Sequence, residues 1–182
     1  MFEVIAIIAV VIALAIVVVL ILATTKPDTF RVQRVATIKA PAESIFSQIN
    51  DFHRWGGWSP WENRDPAMKR TFSGAESGKG AVYGWDGNKN VGSGRMEILD
   101  TSVPSKIVIK LDFFKPFEGH NTAEFTMLPQ GDATNVGTTV TWAMFGPAPF
   151  MSKLMQVFMN MDNMIGKDFE TGLSNLKKLT EK

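Results

Sequence analysis

Residues 37–61 read TIKAPAESIFSQINDFHRWGGWSPW, and the hydrophobic period changes twice along them. The stretch enters as the end of an alternating, β-branched run, FRVQRVATIKA, that begins at Phe30 and reads as a strand. Pro41 then suits the first turn of a helix and Glu43 its positive end. Ile45, Phe46 and Ile49 recur at helical spacing, so a helix is predicted over 42–50. Beyond it, Gly56, Gly57 and Pro60 break any long helix. A short second helix or irregular turns therefore carry Trp55, Trp58 and Trp61, three of the chain's five tryptophans.

Toward the carboxyl end, strand-like segments follow one another: MKRTFSG, GAVYGWD, SGRMEILDTSV, SKIVIKLDFF, HNTAEFTMLP and TNVGTTVTWAMFG. Turn material at residues 74–80, 86–94, 104–105, 115–119 and 129–135 separates them. Regular strands on short links predict an antiparallel meander. Parity in the fifth strand shows which side is buried. Ile107, Ile109, Leu111 and Phe113 share one face, while Lys110 and Asp112 share the other. Phe125 and Met127 alternate with Glu124 and Thr126 in the same way, so one face of the sheet is buried and the other is wet. Residues 150–179 place Phe150, Leu154, Val157, Phe158, Met161, Ile165, Phe169, Leu173, Leu176 and Leu179 in steps of three and four. One long amphipathic helix is predicted there, laid along the apolar face of the sheet. Met151, Met155 and Met159 form a second stripe beside the first, suited to a cavity mouth, a partner or the membrane surface.

The amino terminus is a different material. Residues 4–23, VIAIIAVVIALAIVVVLILA, are apolar throughout, without charge, glycine or proline. As a helix they extend roughly 30 Å, the thickness of a bilayer's hydrocarbon core. A cleaved signal peptide would carry early basic residues, a shorter apolar core and small residues at the cut; this chain has Glu3 and Ile21-Leu22-Ala23 instead. An uncleaved transmembrane helix over 1–24 is expected, then a linker over 25–29 and a folded domain over 30–182. Lys26, Arg31, Arg34 and Lys39 follow the span, which predicts a single-pass membrane protein with its soluble domain in the cytoplasm.

Composition excludes several functions. With 19 basic against 18 acidic residues there is no electrostatic footprint for nucleic acid. Two histidines and no cysteine leave little for a zinc, haem or iron–sulfur site, and no cofactor or metal is expected. His53 and His120 stand near no recognisable nucleophile motif. GAESGKG at 74–80 is one residue short of a phosphate loop, joins two strands, and reads as a hairpin. Asp86, Glu97, Asp100, Asp112 and Glu118 match no metal-ligand spacing.

The stretch from Thr37 to Phe46, with Asn50-Asp51-Phe52-His53-Arg54-Trp55 and Trp58-Ser59-Pro60-Trp61, resembles the opening of the polyketide cyclase/dehydrase and lipid-transport family. That family belongs to the START-like, or SRPBCC, superfamily, and the resemblance covers residues 30–180. It implies an α+β helix-grip fold: a curved antiparallel sheet holding the terminal helix, with an apolar cavity between them. Members bind lipids, sterols, polyketides or hormones, and only some are catalysts. On this basis the cavity candidates are Trp55, Trp58, Trp61, Met96, Ile109, Leu111, Phe113, Phe125, Met127, Trp142 and Met161, with Asp86, Arg95, Glu118 and His120 as groups that would orient a ligand. The tryptophans are open to four roles: packing the short helices on the sheet, lining the cavity entrance, meeting the bilayer interface, or forming the W-x-x-W pattern of tryptophan C-mannosylation in secreted proteins, which the expected membrane orientation disfavours. The reading is a membrane-anchored binder of a hydrophobic small molecule or lipid. The alternatives are a cyclase/dehydrase-like enzyme and a protein-interaction module.

Overall fold

The computed structural model describes residues 1–131 and 136–181. Residues 132–135 fall in the turn read at 129–135 and at the start of the strand read at 134–146, and that part of both readings lies outside the described residues. A long helix, α1 (Phe2–Thr24), precedes strand β1 (Thr29–Ile38), helix α2 (Ala42–Ile49) and a 3-10 helix (Phe52–Gly57). Strands β2 (Lys69–Gly74), β3 (Ala81–Asp86), β4 (Ser93–Ser102), β5 (Lys106–Lys115), β6 (Gly119–Gln130) and β7 (Gly137–Pro147) follow, then helices α3 (Phe150–Phe158) and α4 (Met161–Thr180).

The strands form one antiparallel sheet in the order β1-β7-β6-β5-β4-β3-β2. The meander expected from the short links is therefore present, and β1 closes it by pairing with β7, Thr29 opposite Pro147 and Ile38 opposite Thr138. Register shifts between Ser93 and Gly94 and between Ile98 and Asp100 bend β4 against β5. The hairpin loop after β2 turns through Gly74, Gly78 and Gly80, all at positive φ, which only glycine adopts without strain. Ile107, Ile109, Phe125, Met127 and Val140 are fully buried on the inner face.

The terminal segment departs from expectation. The apolar steps predict one helix over 150–179, but two form. Met159 is extended, with φ −130° and ψ 137°. Asn160 then caps α4, its side-chain oxygen accepting the Asn163 N–H at 3.0 Å. Asparagine followed by Asp162 in the first turn is a helix start signal that the unbroken apolar stripe conceals.

Helix α4 lies on the inner face against β1, α2 and the 3-10 helix, burying Phe169, Leu173 and Leu176. Arg34 ties it down: Nη2 reaches Asp162 at 3.0 Å and Nε reaches Glu170 at 2.7 Å. Arg64 pairs with Asp168 on the same helix. Gly166 sits directly over the Arg34 guanidinium, where a Cβ would collide with it.

Among the described residues, α1 is the one helix long and apolar enough to span a membrane. Its side chains are exposed almost throughout. The exceptions are at its end, where Ala23 is buried and Val19 half-buried, and α3 is the element that packs on α1.

Candidate functional site

Ring stacking decides the character of the space between the sheet and α4. Trp142 on β7 lies parallel to Phe169 of α4, with centroids 4.2 Å apart and planes at 7°. Its other neighbours are Phe125 at 4.8 Å, Trp58 at 5.5 Å and Trp61 at 5.6 Å. Gly172 allows this closeness, since a Cβ there would stand 2.7 Å from Cζ3 of Trp142. The open apolar cavity expected at this place is filled by these rings. Two shallow hollows among the described residues lie outside the grip. One runs along the solvent side of α4 from Lys167 to Lys178, and the other lies on β2, β3 and β4 around Thr71, Gly84 and Arg95.

The tryptophan segment joins this block for a local reason. The Trp55 indole N–H donates to the Ile49 carbonyl at 3.0 Å, and that of Trp58 donates to the Gln48 carbonyl at 3.1 Å. Both acceptors are carbonyls near the end of α2, which lack intrahelical donors. The rings thus cap α2 while packing on Phe125. Trp55 and Trp58 are buried and Trp61 is half-buried, so the first two form core packing and do not meet a bilayer interface. Trp142 differs: its Nε1–H is buried and has no acceptor among the described residues.

Of the other candidates, Met96, Ile109, Leu111 and Met127 are buried on the inner face. Phe113 is half-buried and meets Trp85 edge-on at 5.8 Å, and Met161 is half-buried in the first turn of α4. The polar candidates separate from this set. Asp86, Glu118 and His120 are exposed, and Arg95 pairs with Glu97 at 2.7 Å. Arg95, Asp112 and His120 stand in register across β4, β5 and β6 on the outer face. Asp112, read as belonging to the wet face, keeps that parity but is buried there by its partners. His120 Nδ1 lies 2.7 Å and Lys110 Nζ 2.9 Å from its oxygens. Burial opposes the Asp112 charge, but the bonds from His120 and Lys110 prevail and hold its carboxyl below the usual carboxylate range. The same bond from Asp112 raises the His120 imidazole above its ordinary value.

One inner polar group escaped the sequence reading. Tyr83 Oη donates to Glu62 Oε1 at 2.6 Å, and Arg70 Nε donates to Glu62 Oε2 at 2.6 Å. Burial, followed by the Glu62 hydrogen bond, raises the Tyr83 phenol, so it stays a donor. Ala81, Tyr83 and Trp85 at a spacing of two place Tyr83 inward. Glu62 sits in the irregular segment, where no period indicates direction.

Helix on sheet, with the tryptophan segment between them, is the architecture anticipated from residues 37–61. A profile for polyketide cyclase/dehydrase and lipid transport proteins matches residues 29–181. The chain belongs to that family. Solved structures share the family's helix-grip fold at low identity. A protein from Thermobifida fusca is 17% identical with a TM-score of 0.60, covering 82% of this chain and 92% of its own. Major latex-like protein 151 from Panax ginseng is 13% identical with a TM-score of 0.58, covering 85% and 99%. A Mycobacterium smegmatis protein is 19% identical with a TM-score of 0.55, covering 85% and 92%. These likenesses establish fold alone. No curated protein matches the chain.

Proposed function

We propose that this family member is a membrane-anchored binding protein for a small hydrophobic molecule or lipid. In this reading residues 1–24 are the anchor, 25–29 the linker and 30–182 the binding domain. The basic residues Lys26, Arg31, Arg34 and Lys39 after the span favour a cytoplasmic domain. The ligand site is the aromatic and methionine-lined interior between the sheet and α4, drawn from Trp61, Met96, Phe125, Met127, Trp142 and Met161.

The observation that carries this reading is the Trp142 indole. An unpaired buried donor costs about 1–3 kcal/mol, and an acceptor on an otherwise apolar ligand would satisfy it. The surrounding rings supply the apolar walls that small-molecule sites use, with one polar group to set orientation. Because those rings touch, the ligand is small, or it enters as α4 lifts from the sheet. The driving force is burial of its apolar surface, about 25 cal/mol per Å².

An enzyme of the cyclase/dehydrase kind would need a proton-transferring group facing the interior. Asp86, Arg95, Glu118 and His120 face away from it. Tyr83 and Glu62 face inward, but Arg70 and their mutual bond occupy them as a clamp between the tryptophan segment and the sheet.

The test is native mass spectrometry of the full chain, purified in detergent from its host, beside Trp142→Phe. The wild type is expected to carry an apolar small molecule or lipid. The variant should keep its far-UV circular dichroism and cooperative unfolding and lose most of that occupancy. A wild-type protein that is empty, and whose tryptophan emission does not respond to host lipid extract, overturns the reading.

A further inference from the structure

The end of the sheet nearest α1 gathers apolar residues that the core does not use. Strand β1 starts five residues after α1 ends, and β7 finishes beside it, with Thr29 opposite Pro147. The Ala148 N–H donates to the Asp28 carbonyl at 2.7 Å, and Lys153 of α3 pairs with the Asp28 side chain. Helix α3 is therefore held at the foot of α1, over Ala23. None of its residues is buried. Phe150 is 48% exposed, Met151 50%, Phe158 70% and Met159 41%, with Met164 of α4 at 48%. The antiparallel register brings a second group to this end. Thr122 of β6 stands opposite Phe145 near the end of β7, and Phe113 opposite Gly119, so the β5–β6 loop lies at the same end of the sheet as the start of β1. There Phe114 and Phe117 are each 54% exposed.

We propose that α3, the first turn of α4 and the β5–β6 loop form a rim seated in the bilayer, at the boundary between lipid headgroups and acyl chains. The inference rests on the reading of α1 as a membrane span. Helix α1 is about 34 Å long at 1.5 Å per residue, so its last turns, where α3 packs, reach the edge of a hydrocarbon core about 30 Å thick. A short helix with an apolar outer side lies in that boundary with its apolar face sunk about 5–10 Å. Phenylalanine and methionine at that depth bury surface that water would otherwise meet. Lipid is the occupant favoured here because the patch is continuous with the apolar surface of α1. A second copy or another protein would have to compete with the bilayer that α1 already brings to the site.

The chain contains no cysteine, so single-cysteine variants report cleanly. Full-length Val11→Cys, Phe117→Cys, Phe158→Cys and Val103→Cys are labelled with the fluorophore NBD. They are reconstituted in phosphatidylcholine–phosphatidylglycerol vesicles containing lipids spin-labelled at shallow or deep acyl positions. Val103 is 72% exposed in the β4–β5 turn, about 30 Å from the rim along the strands, and serves as the aqueous control. Deep labels should quench Val11. Shallow labels should quench Phe117 and Phe158 at least three-fold more than Val103. If Val11 is quenched while Phe117 and Phe158 match Val103, the rim is overturned and the anchor stands; protein-concentration-dependent emission at Phe158 would then identify a second copy as the occupant. If Val11 is not quenched, the anchor reading fails and this inference fails with it.

Discussion

The aromatic block under α4 and the rim around α3 are built from the same kinds of residue, and the fold treats them in opposite ways. In the block Trp58, Phe125, Trp142 and Phe169 are almost wholly buried and in mutual contact. On the rim Phe158, Phe117 and Met151 stand half or more in the open. Both α3 and α4 are amphipathic, yet α3 buries no residue and α4 buries five. An apolar stripe makes a helix ready to bury a face. What lies opposite that face decides whether it is buried in protein.

The largest effect that would break this comparison is on stability. Trp58→Ala removes a ring 1% exposed together with its bond to Gln48, and should cost about 3–5 kcal/mol in chemical denaturation. Phe158→Ala should stay within about 0.5 kcal/mol by the same measurement. Equal losses would mean that the rim is core. Next comes Gly172→Ala. Its methyl group meets Trp142 at 2.7 Å, and that ring is already stacked on Phe169 and Phe125, so overpacking should cost about 1–3 kcal/mol despite the better helix propensity of alanine. A neutral or stabilised variant would show that α4 has room to lift. Arg34→Ala cuts the two partly exposed ion pairs that hold α4, and should lower the denaturation midpoint slightly, with the difference shrinking at high salt.

The smallest effect lies on the outer face of the sheet, beside the β5–β6 loop. Asp112 raises the His120 pKa, so the stabilisation from this pair is present below about pH 6.5 and is lost as pH rises through the higher folded-state midpoint. NMR titration should place that midpoint above 6.5, and Asp112→Asn should return it toward the ordinary value. A His120 midpoint at or below 6.5 in the wild type would remove the ion pair from the account.

Much of this architecture was legible along the chain. The strand-to-helix change at Pro41, the parity of Ile107, Ile109 and Leu111 and the continuous apolar run at the amino terminus are local signals, and each corresponds to an observed element. The site was legible only in part. Trp58, Phe125 and Trp142, named as cavity candidates from the helix-grip resemblance, come together between the sheet and α4 with their rings in contact. Asp86, Arg95 and His120 lie outside the grip, because charge along a strand tells that a residue is polar and not what stands above it. Glu62 was hidden in a segment without period, and the break at Met159 was hidden under a continuous stripe.

By itself the sequence determined the order and type of the elements up to the terminal helical segment, the family, and which sheet face is apolar, because backbone preference and side-chain alternation act over a few residues. Only the tertiary structure decided that two tryptophan N–H groups cap α2 while a third is left unpaired, and that Gly172 lets α4 rest on Trp142. The same structure set Phe117 at the end of the sheet that adjoins α1. These outcomes depend on contacts between residues tens of positions apart, and no local pattern encodes the distance at which two such surfaces meet.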